Sequence, residues 1–596
     1  MGGLQSTAIT DKIADHLRRG ELLDLAPDLA IGSPVDEVGM TSWDGTHSVV
    51  ADDVRDLLRG RLVTDADPRG LRLRAARIRG RLDLDNLNTS VKLTLLDCLL
   101  DEGITAEAAH LPGLSLRRCL LTHASKPALY ADELRTDAGV SFEGSTILAC
   151  TADGAIRMNG AHIGGQLDCS GATIANPSGP ALHGERLKVN DSVLLRAGFT
   201  ADGDGELGAV RLSGAHIGGQ LDCSGTITNS SGSALHGEHL HVDGNVLLRA
   251  GFTADGDGAV RLIWARVGGQ LDCSGATITN ASGPGLLAGA LQVAGSVFLS
   301  AGFTADCAGE LGAVRLVGAH IGGRLDCSGA TITNPSGPVL RGERLHVDGD
   351  VLLHAGFTAD GAGELGTVRL TGAHIGGQLD CSGAVVESRS DLQHRWTLDG
   401  LTYPRLPLDP LGKGTAGWLD LFRTATPAYA AQPYQQLASV YRAAGHDGDV
   451  RQILIAQRQA QLDRGVLTRR ERLWARITGI TLGYGYQPWR ALLFLLSVVV
   501  TSVVLAVTLG AHGAVVHPLD PKNPAATTVP CTVTERVEVG LSVGAPFFDT
   551  HVRDRCTTTN TATGIGLSYS TWGLQLLTGA FAALFIAGFT GIVRKT

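Results

Sequence analysis

Short stretches of alternating apolar and polar residues fill the middle of the chain, and glycine-rich breaks separate them. In one such stretch Ile163 and Leu167 can point to one side of a sheet, while His162 and Asp168 point to the other. The break at Gly164-Gly165 turns the chain between two short strands. This pattern predicts many short β-strands in the middle of the chain.

A long repeat organises these strands. The segment Gly-Ala-His-Ile-Gly-Gly-Gln-Leu-Asp-Cys-Ser-Gly begins at Gly160, returns at Gly214 and Gly372, and has variants that begin at Trp264 and Gly318. The spacing is 54 residues, or 50 in one interval, and each repeat holds a weaker second copy of itself. The unit is therefore about 27 residues long, which predicts a right-handed parallel β-helix of about twelve coils over residues 70–400.

The segments on either side of the repeats have a different character. Residues 1–69 are predicted to be a helical or capping segment, and residues 410–480 a helical connector. Within the connector, Tyr434 and the apolar residues after it read as two helices with a break at Gly445-His446-Asp447-Gly448. Such a helical hairpin either joins the β-helix to the rest of the chain or binds a peptide.

Two long apolar segments follow the connector. Residues 491–510 carry no charge, and residues 571–593 carry none either. Each is long enough to cross a hydrocarbon core of about 30 Å as a helix. The sequence predicts transmembrane helices over 488–510 and 570–593, with a loop at 511–567 between them.

Basic residues set the expected orientation of these helices. Six arginines lie between Arg464 and Arg490, and Arg594 and Lys595 follow the second apolar segment. The positive-inside rule places both ends and the β-helix in the cytoplasm of a plasma-membrane protein, and the loop outside. Outside the cytoplasm Cys531 and Cys556 are candidates for a disulfide, whereas the other nine cysteines are expected to stay reduced.

Small residues recur every four positions in the second apolar segment, at Gly579, Ala583, Ala587 and Gly591. They form one flat helix face that lets another helix approach closely. The face either packs on the first span or forms a contact between copies of the chain.

Polar residues recur in register with the β-helix repeat. Their rows are predicted to point outward and form either a solvated surface or a polyvalent binding face. The rows consist of His162, Asp168, His216, Asp222, Asp272, His320, Asp326, His374 and Asp380. The cysteines of the repeat, of which Cys169 is the first, are expected to be buried structural thiols, because equivalent residues two coils apart are too distant for a disulfide or a zinc site.

Composition and motifs indicate no chemistry. Glycine makes up 79 of 596 residues, and the net charge of −9 gives no reason to expect nucleic acid as a partner. No dinucleotide fingerprint, P-loop or Cys-x-x-Cys motif is present, so no catalytic residue, metal site or cofactor is predicted.

Gly483-Tyr484-Gly485 is similar to a potassium-channel filter but precedes the first span, whereas a filter lies between two spans.

The layout resembles a group of actinobacterial membrane proteins often labelled "membrane-associated oxidoreductase". The resemblance rests on residues 71–84 and the later coils, on Tyr434 to Gln459, on Gly483 to Arg490 and on Thr571 to Lys595. It implies a cytoplasmic solenoid tied to paired spans, and by its label a redox activity. The coils are also similar to pentapeptide-repeat β-helices, although those have shorter coils of about twenty residues.

Three hypotheses of function follow. The first is an interaction or scaffold protein, in which the solenoid binds a protein partner at the inner face of the plasma membrane. The second is a membrane-associated oxidoreductase, which rests on the resemblance and would use a flavin or a quinone. The third is a pore or transport component built from the two spans. A homo-oligomer is one alternative for the role of the small-residue face, separate from these hypotheses.

Overall fold

The structure is a computed structural model that describes residues 2–28, 35, 37–43, 45–206, 208–389, 394–464, 468–518, 529–545 and 555–590. The chain forms two compact units, residues 1–445 and residues 446–596. The first unit is a parallel β-solenoid of about 13 turns, one more than the sequence predicted.

The solenoid has four parallel sheets, A to D, which contain 14, 14, 13 and 11 strands within the described residues, and a complete turn contributes one short strand to each sheet. The strands of sheet A are Leu23–Asp24, Leu71–Arg74, Leu93–Leu96, Leu114–Arg117, Val140–Ser141, Leu167–Asp168, Val193–Leu195, Leu221–Cys223, Val246–Leu247, Leu271–Asp272, Val297–Phe298, Leu325–Asp326, Val351–Leu352 and Leu379–Asp380. The strands of sheet B are Ser48–Val50, Arg77–Arg79, Leu99–Leu100, Leu120–His123, Thr146–Ala149, Thr173–Asn176, Thr200–Gly203, Thr226–Asn229, Thr253–Gly256, Thr277–Asn280, Thr304–Cys307, Thr331–Asn334, Thr358–Gly361 and Val385–Ser388.

The other two sheets complete each turn. The strands of sheet C are Leu82–Asp83, Ile104–Thr105, Leu129–Tyr130, Ile156–Arg157, Leu182–His183, Val210–Arg211, Leu235–His236, Val260–Arg261, Leu286–Leu287, Val314–Arg315, Leu340–Arg341, Val368–Arg369 and Trp396–Thr397. The strands of sheet D are His110–Leu111, Arg135–Thr136, His162–Ile163, Lys188–Val189, His216–Ile217, His241–Val242, Arg266–Val267, Gln292–Val293, His320–Ile321, His346–Val347 and His374–Ile375.

The core consists of equivalent apolar side chains stacked from turn to turn. Phe199, Phe252, Phe303 and Phe357 are fully buried, and the isoleucines and leucines that precede each corner are buried with them. Because each strand has only two to four residues, the alternation of inward and outward positions restarts after every corner. The register of the core is therefore set by the corners as much as by the strands.

Buried asparagines close the loops between sheets B and C. The Asn334 amide nitrogen donates to the Pro338 carbonyl at 2.7 Å and to the Gly309 carbonyl of the preceding turn at 2.8 Å. Asn176, Asn229 and Asn280 make the same bond to the carbonyl four residues later. These side chains give a second hydrogen bond to carbonyl groups that already accept a backbone N–H, as the Pro338 carbonyl does from Ala313 at 3.1 Å.

The solenoid starts earlier than the boundary predicted at residue 70. Strands Leu23–Asp24 and Ser48–Val50 already pair with the next turn in sheets A and B. The helices of this end are α1 (Gly2–Arg19), α2 (Glu37–Thr41) and α3 (Ala51–Leu58). At the other end of the unit, α4 (Thr415–Thr424) and α5 (Gln432–Ala443) follow the last strands.

The second unit is helical. It contains α6 (Asp447–Arg464), α7 (Arg469–Leu482), α8 (Trp489–Ala511), α9 (Val533–Gly544) and α10 (Ala562–Phe589), with an antiparallel pair of strands, Val515–Val516 and Thr557–Thr558. Helices α8 and α10 are long and apolar enough to cross a membrane, with mean hydropathy of 2.8 and 1.6.

The Gly-Tyr-Gly motif forms the turn between α7 and α8. Gly483 ends α7 in the left-handed conformation, and Tyr484 follows at a φ of 57°. The Tyr484 ring lies against Gly479, where a side chain would have no room, since an added Cβ would come within 2.7 Å of the ring. The motif therefore has a local structural role in this turn.

Candidate binding face

Sheet D presents a continuous ladder of polar side chains on its outer face. In every strand the first residue points outward and the second, an aliphatic residue or threonine, is buried. Neighbouring strands pair in register, so the outward side chains stack directly above one another. The ladder consists of His110, Arg135, His162, Lys188, His216, His241, Arg266, Gln292, His320, His346 and His374.

The imidazole rings of the ladder contact one another where histidines occupy successive turns. The rings of His320, His346 and His374 stack with centroids 4.7 Å apart, and those of His216 and His241 meet edge to face at 4.8 Å. These separations equal the spacing of neighbouring strands. Three of these five histidines, His216, His320 and His374, were predicted from the sequence. His241 and His346 were not, because they belong to the weaker half of each repeat.

Sheet C carries a second ladder, in which most of the arginines already pair with a carboxylate. Arg157 donates to Asp132 at 2.8 Å, Arg341 to Glu343 at 3.0 Å, and Arg261 lies 3.4 Å from Glu238. These arginine side chains are one-third exposed or less. The sheet D ladder is more exposed, with most of its side chains open to solvent, and is therefore the better candidate for contact with another molecule.

Trp264 lies at the corner before sheet D, at a position where the other four copies of the 54-residue repeat have glycine. The equivalent residues Gly160, Gly214, Gly318 and Gly372 have φ angles of 64–65°, in the left-handed region that glycine adopts freely. Trp264 adopts the same conformation, with φ of 55°. A side chain costs about 1–2 kcal/mol in that region.

The side chain of Trp264 is largely exposed to solvent. It is 55% exposed, and its ring stacks on His239 of the preceding turn, with centroids 5.0 Å apart. The two rings border a groove of about 460 Å³ on the sheet D side. The groove is lined by His239, Leu240, His241, Trp264, Arg266, Ala290 and Gln292. An apolar, rigid aromatic ring thus stands among polar groups of the ladder.

The predicted aspartate row does not share this face. Asp168, Asp222, Asp272, Asp326 and Asp380 lie in sheet A, one corner beyond the histidines. In four of them a side-chain oxygen accepts the backbone N–H of the serine two residues later, at 2.9–3.0 Å. The prediction that the histidines and the aspartates share one binding face is therefore wrong. These aspartates instead shape the corner between sheets A and B.

Asp222 departs from the other four because its repeat is shorter. The segment Leu221-Asp222-Cys223-Ser224-Gly225-Thr226 lacks the alanine that precedes threonine in the other copies. Its strand extends through Cys223, and Asp222 is buried at 3% exposure, with Arg196 Nη1 at 3.2 Å. Asp222 thus pairs with an arginine instead of forming the turn.

The cysteines of the repeat are buried, as the sequence predicted. Cys169, Cys273, Cys327 and Cys381 have no exposed surface, and burial raises the pKa of each thiol far above its usual range. Burial raises the pKa of Cys223 to about 12. These thiols remain protonated near neutral pH, which suits packing and not nucleophilic chemistry.

The second unit contains the other predicted site residues. Cys531 and Cys556 form a disulfide, with Cα atoms 6.4 Å apart. Gly579 and Ala583 are exposed, and nothing lies within 4 Å of a Cβ added at Gly579. The small-residue face therefore does not pack on α8, as one alternative expected, and Gly591 lies outside the described residues.

Helix α9 packs closely on α8 through small residues. A Cβ added at Gly540 would come within 2.5 Å of the Val503 Cα, and one at Gly544 within 2.8 Å of the Val499 Cα. Ser502 Oγ donates to the Gly540 carbonyl at 2.8 Å, and Thr578 Oγ1 of α10 donates to the Gly544 carbonyl at 3.2 Å. The segment that was predicted to be a plain loop thus contains a helix whose end lies between the central parts of α8 and α10.

An apolar cavity of about 250 Å³ lies at the C-terminal end of the solenoid. Phe422, Tyr429 and Tyr434 supply aromatic walls, and Asp399 contributes a carboxylate. Helices α4 and α5 hold these side chains against the last strand of sheet C. The cavity can take a small apolar group.

No protein-family model, curated protein or solved structure matches this chain.

Proposed function

We propose that the chain is a membrane-anchored interaction protein whose solenoid binds a protein partner along the outer face of sheet D. Trp264 and the groove beside it form the centre of the contact, and the ladder extends it to either side. Many modest contacts along a rigid ladder then add to one binding event.

The exposed ring of Trp264 carries this proposal. At this position the other four copies of the 54-residue repeat have glycine, which adopts the left-handed region without strain, whereas the alternate turns have Arg186, His239, Ala290 and Arg344 there in the same conformation. Trp264 is strained there and leaves more than half of its surface exposed, so that folding gains little from its size. Exposed tryptophans are frequent among the residues that dominate binding energy at protein interfaces.

The charge of the ladder indicates the chemistry of the partner. Arg135, Lys188 and Arg266 are basic residues, and their side chains are exposed. Arg266 borders the same groove as Trp264. A protein that presents an aromatic or aliphatic pocket rimmed by carboxylates complements this surface.

The membrane placement completes the proposal. The two apolar helices α8 and α10 serve as spans, and the arginines between Arg464 and Arg490 keep the preceding residues on the cytoplasmic side. The segment that holds the disulfide then lies outside the cytoplasm, where disulfides persist.

The test uses the tagged full-length protein with a photoreactive amino acid in place of Gln292, which lines the groove. Irradiation of membranes is expected to give one cross-linked protein product. Trp264→Gly is expected to remove that product. A photoreactive residue in place of Thr331, which is exposed on sheet B, serves as the matched control and gives none. An unchanged product with Trp264→Gly overturns the proposal.

A second function, a pore or transport role, is favoured by the position of α9. A short helix that lies between two spans and ends near their centres is a feature of pore-lining segments, because its end can face a permeating ion or solute. Flux through liposomes is expected to fall with Gly544→Val, since a side chain there collides with Val499. Leu541→Val, an exposed position on the same helix, is the control. Absence of flux with the unaltered protein overturns this function.

The redox activity implied by the family resemblance stays a prediction. The aromatic cavity beside Phe422 and Tyr434 is where we would place an apolar cofactor ring. The absorbance spectrum of the protein, extracted from membranes in mild detergent, tests for a redox cofactor. Loss of a chromophore band with Tyr434→Ala would assign the cavity as the cofactor site.

A further inference from the structure

Two carboxylates lie against the histidine ladder of sheet D. Asp243 follows the outward His241 by two residues, so both side chains are on the same face. Its carboxylate oxygens lie 2.8 Å from His241 Nε2 and 3.2 Å from His216 Nε2 of the preceding turn.

The same arrangement recurs four turns later. Asp348 lies 3.0 Å from His346 Nε2 and 3.6 Å from His320 Nε2. In both clusters the three candidate ligand atoms lie within 4.8 Å of one another, and the side chains are roughly half exposed. The two clusters thus have the same residue types, the same spacing between turns and the same access from solvent.

Two imidazole nitrogens and one carboxylate oxygen are a donor set for zinc and similar divalent transition metals. Zinc binds such atoms at about 2.0–2.2 Å, so neighbouring ligand atoms around a tetrahedral ion are about 3.3 Å apart. The carboxylate–imidazole separations in both clusters, 2.8–3.6 Å, bracket this value. Small rotations of exposed side chains are enough to bring the three atoms around one ion.

The other double turns of the solenoid show that the fold does not require these residues. The equivalent positions hold His162, Lys188 and Asn190 in one double turn, and Arg266, Gln292 and Ala294 in another. In both of these double turns the carboxylate is lost together with the imidazole pair. One earlier turn is intermediate, because Asp137 remains beside His110 while Arg135 replaces the second histidine.

The backbone at these positions is the same whichever side chain is present. The amide nitrogens of Asp243, Asp348, Asn190 and Ala294 each donate to the carbonyl of the preceding turn of sheet D at 2.9 Å. A carboxylate is therefore not needed to build the corner. Its presence with both histidines in only two double turns calls for a reason other than folding.

We propose that His216, His241 and Asp243 bind one divalent transition-metal cation, zinc foremost, and that His320, His346 and Asp348 bind a second. Each cation joins two successive turns, since one histidine comes from the earlier turn and the other two ligands from the later one. Water fills the remaining coordination position, which faces solvent. The two sites are four turns apart, or about 19 Å at the usual strand spacing. Neither site depends on the proposed partner.

The experiment measures zinc bound to the full-length protein in detergent by equilibrium dialysis and elemental analysis. All variants carry Cys150→Ser, because Cys150 is an exposed free thiol that also binds zinc. The unaltered sites are expected to bind two zinc ions per chain. Asp243→Asn and Asp348→Asn each introduce the residue type found at Asn190. Each is expected to abolish the binding of one ion, or to weaken its affinity at least tenfold.

Two further variants separate a specific site from binding by exposed histidines. His162→Gln removes a ladder histidine that has no partnering carboxylate, and it is expected to leave two ions bound. Lys188→His combined with Asn190→Asp completes a cluster around His162 and is expected to create a third site. Zinc binding that is below half an ion per chain, or that is unchanged in the Asp243→Asn/Asp348→Asn double variant, overturns the proposal. Circular dichroism of each variant checks that the solenoid is intact.

Discussion

The indole of Trp264 stacks on the imidazole of His239, with ring centroids 5.0 Å apart and planes 20° from parallel. Both residues occupy the corner between sheets C and D, and both have a left-handed backbone, with φ of 55° and 56°. Two adjacent corners in the left-handed region thus carry one exposed aromatic pair, and this is the pair that the proposed partner would contact.

Replacement of Trp264 by glycine is expected to leave the free energy of unfolding within about 1 kcal/mol of the original. Glycine relieves backbone strain of about 1–2 kcal/mol, and it forfeits a similar amount through unfolded-state entropy and the lost ring contact. Chemical denaturation of the purified protein measures the change. By contrast Phe303→Ala, which empties a fully buried position, is expected to cost about 3–5 kcal/mol. If Trp264→Gly lowered the free energy of unfolding as much as Phe303→Ala, Trp264 would have a structural role.

Replacement of Asn334 by alanine is expected to destabilise the solenoid by about 2–4 kcal/mol. The change removes the two hydrogen bonds that Asn334 donates, to the carbonyls of Gly309 and Pro338 at 2.7–2.8 Å, and the one that it accepts from the Ser336 N–H at 3.3 Å, each of which contributes about 1 kcal/mol. Denaturant titration of the variant gives the value. Thr331→Ala, on the exposed side of the same strand, is expected to change stability by less than about 0.5 kcal/mol.

The repeat allowed the solenoid to be predicted, because its period and turn residues restrict the fold strongly. His162 was placed correctly on the outside, since it directly precedes a buried isoleucine within one strand. Asp168 was placed on the same face by counting alternation through Gly164-Gly165. That corner turns the chain from sheet D into sheet A and breaks the count.

Other features depended on geometry that the sequence does not display. Trp264 was visible as a variant of the repeat, but its strained φ was not. The clusters at Asp243 and Asp348 lie in the half-repeat whose pattern is weak, and each depends on a histidine about 27 residues earlier in the chain. Pairing the two half-repeats turn by turn would have found them. Helix α9 was missed because its glycines resemble loop residues until the packing on α8 is known.

Buried thiols are expected to make the solenoid less stable as the pH rises above about 9. Burial raises the pKa of Cys223 and Cys307 to about 12, whereas an exposed thiol titrates near 8.5–9. Between about pH 9 and about pH 12, the unfolded chain releases a thiol proton that the folded chain keeps. The contribution of the thiol to the free energy of unfolding is therefore fully present below a pH of about 9 and falls as the pH rises. The slope is about 1.4 kcal/mol per pH unit for each such thiol.

The comparison of denaturation curves at pH 8 and pH 10 for the original protein and Cys223→Ala isolates this effect. The variant lacks one of the titrating thiols, and it is expected to lose less stability over the interval. The exposed Cys150 provides the control, because Cys150→Ala is expected to leave the slope unchanged. Equal slopes for the original protein and Cys223→Ala would contradict the assignment.

The disulfide between Cys531 and Cys556 gives a direct test of orientation in the membrane. If the segment between α8 and α10 lies outside the cytoplasm, these two cysteines are oxidised in cells and the other nine are reduced. We expect a membrane-impermeant phosphine, applied to intact cells, to free two additional thiols for modification by a maleimide of high mass. A Cys531→Ser/Cys556→Ser variant shows no such increase. If the additional thiols are released only after lysis, the segment faces the cytoplasm and the proposed topology is reversed.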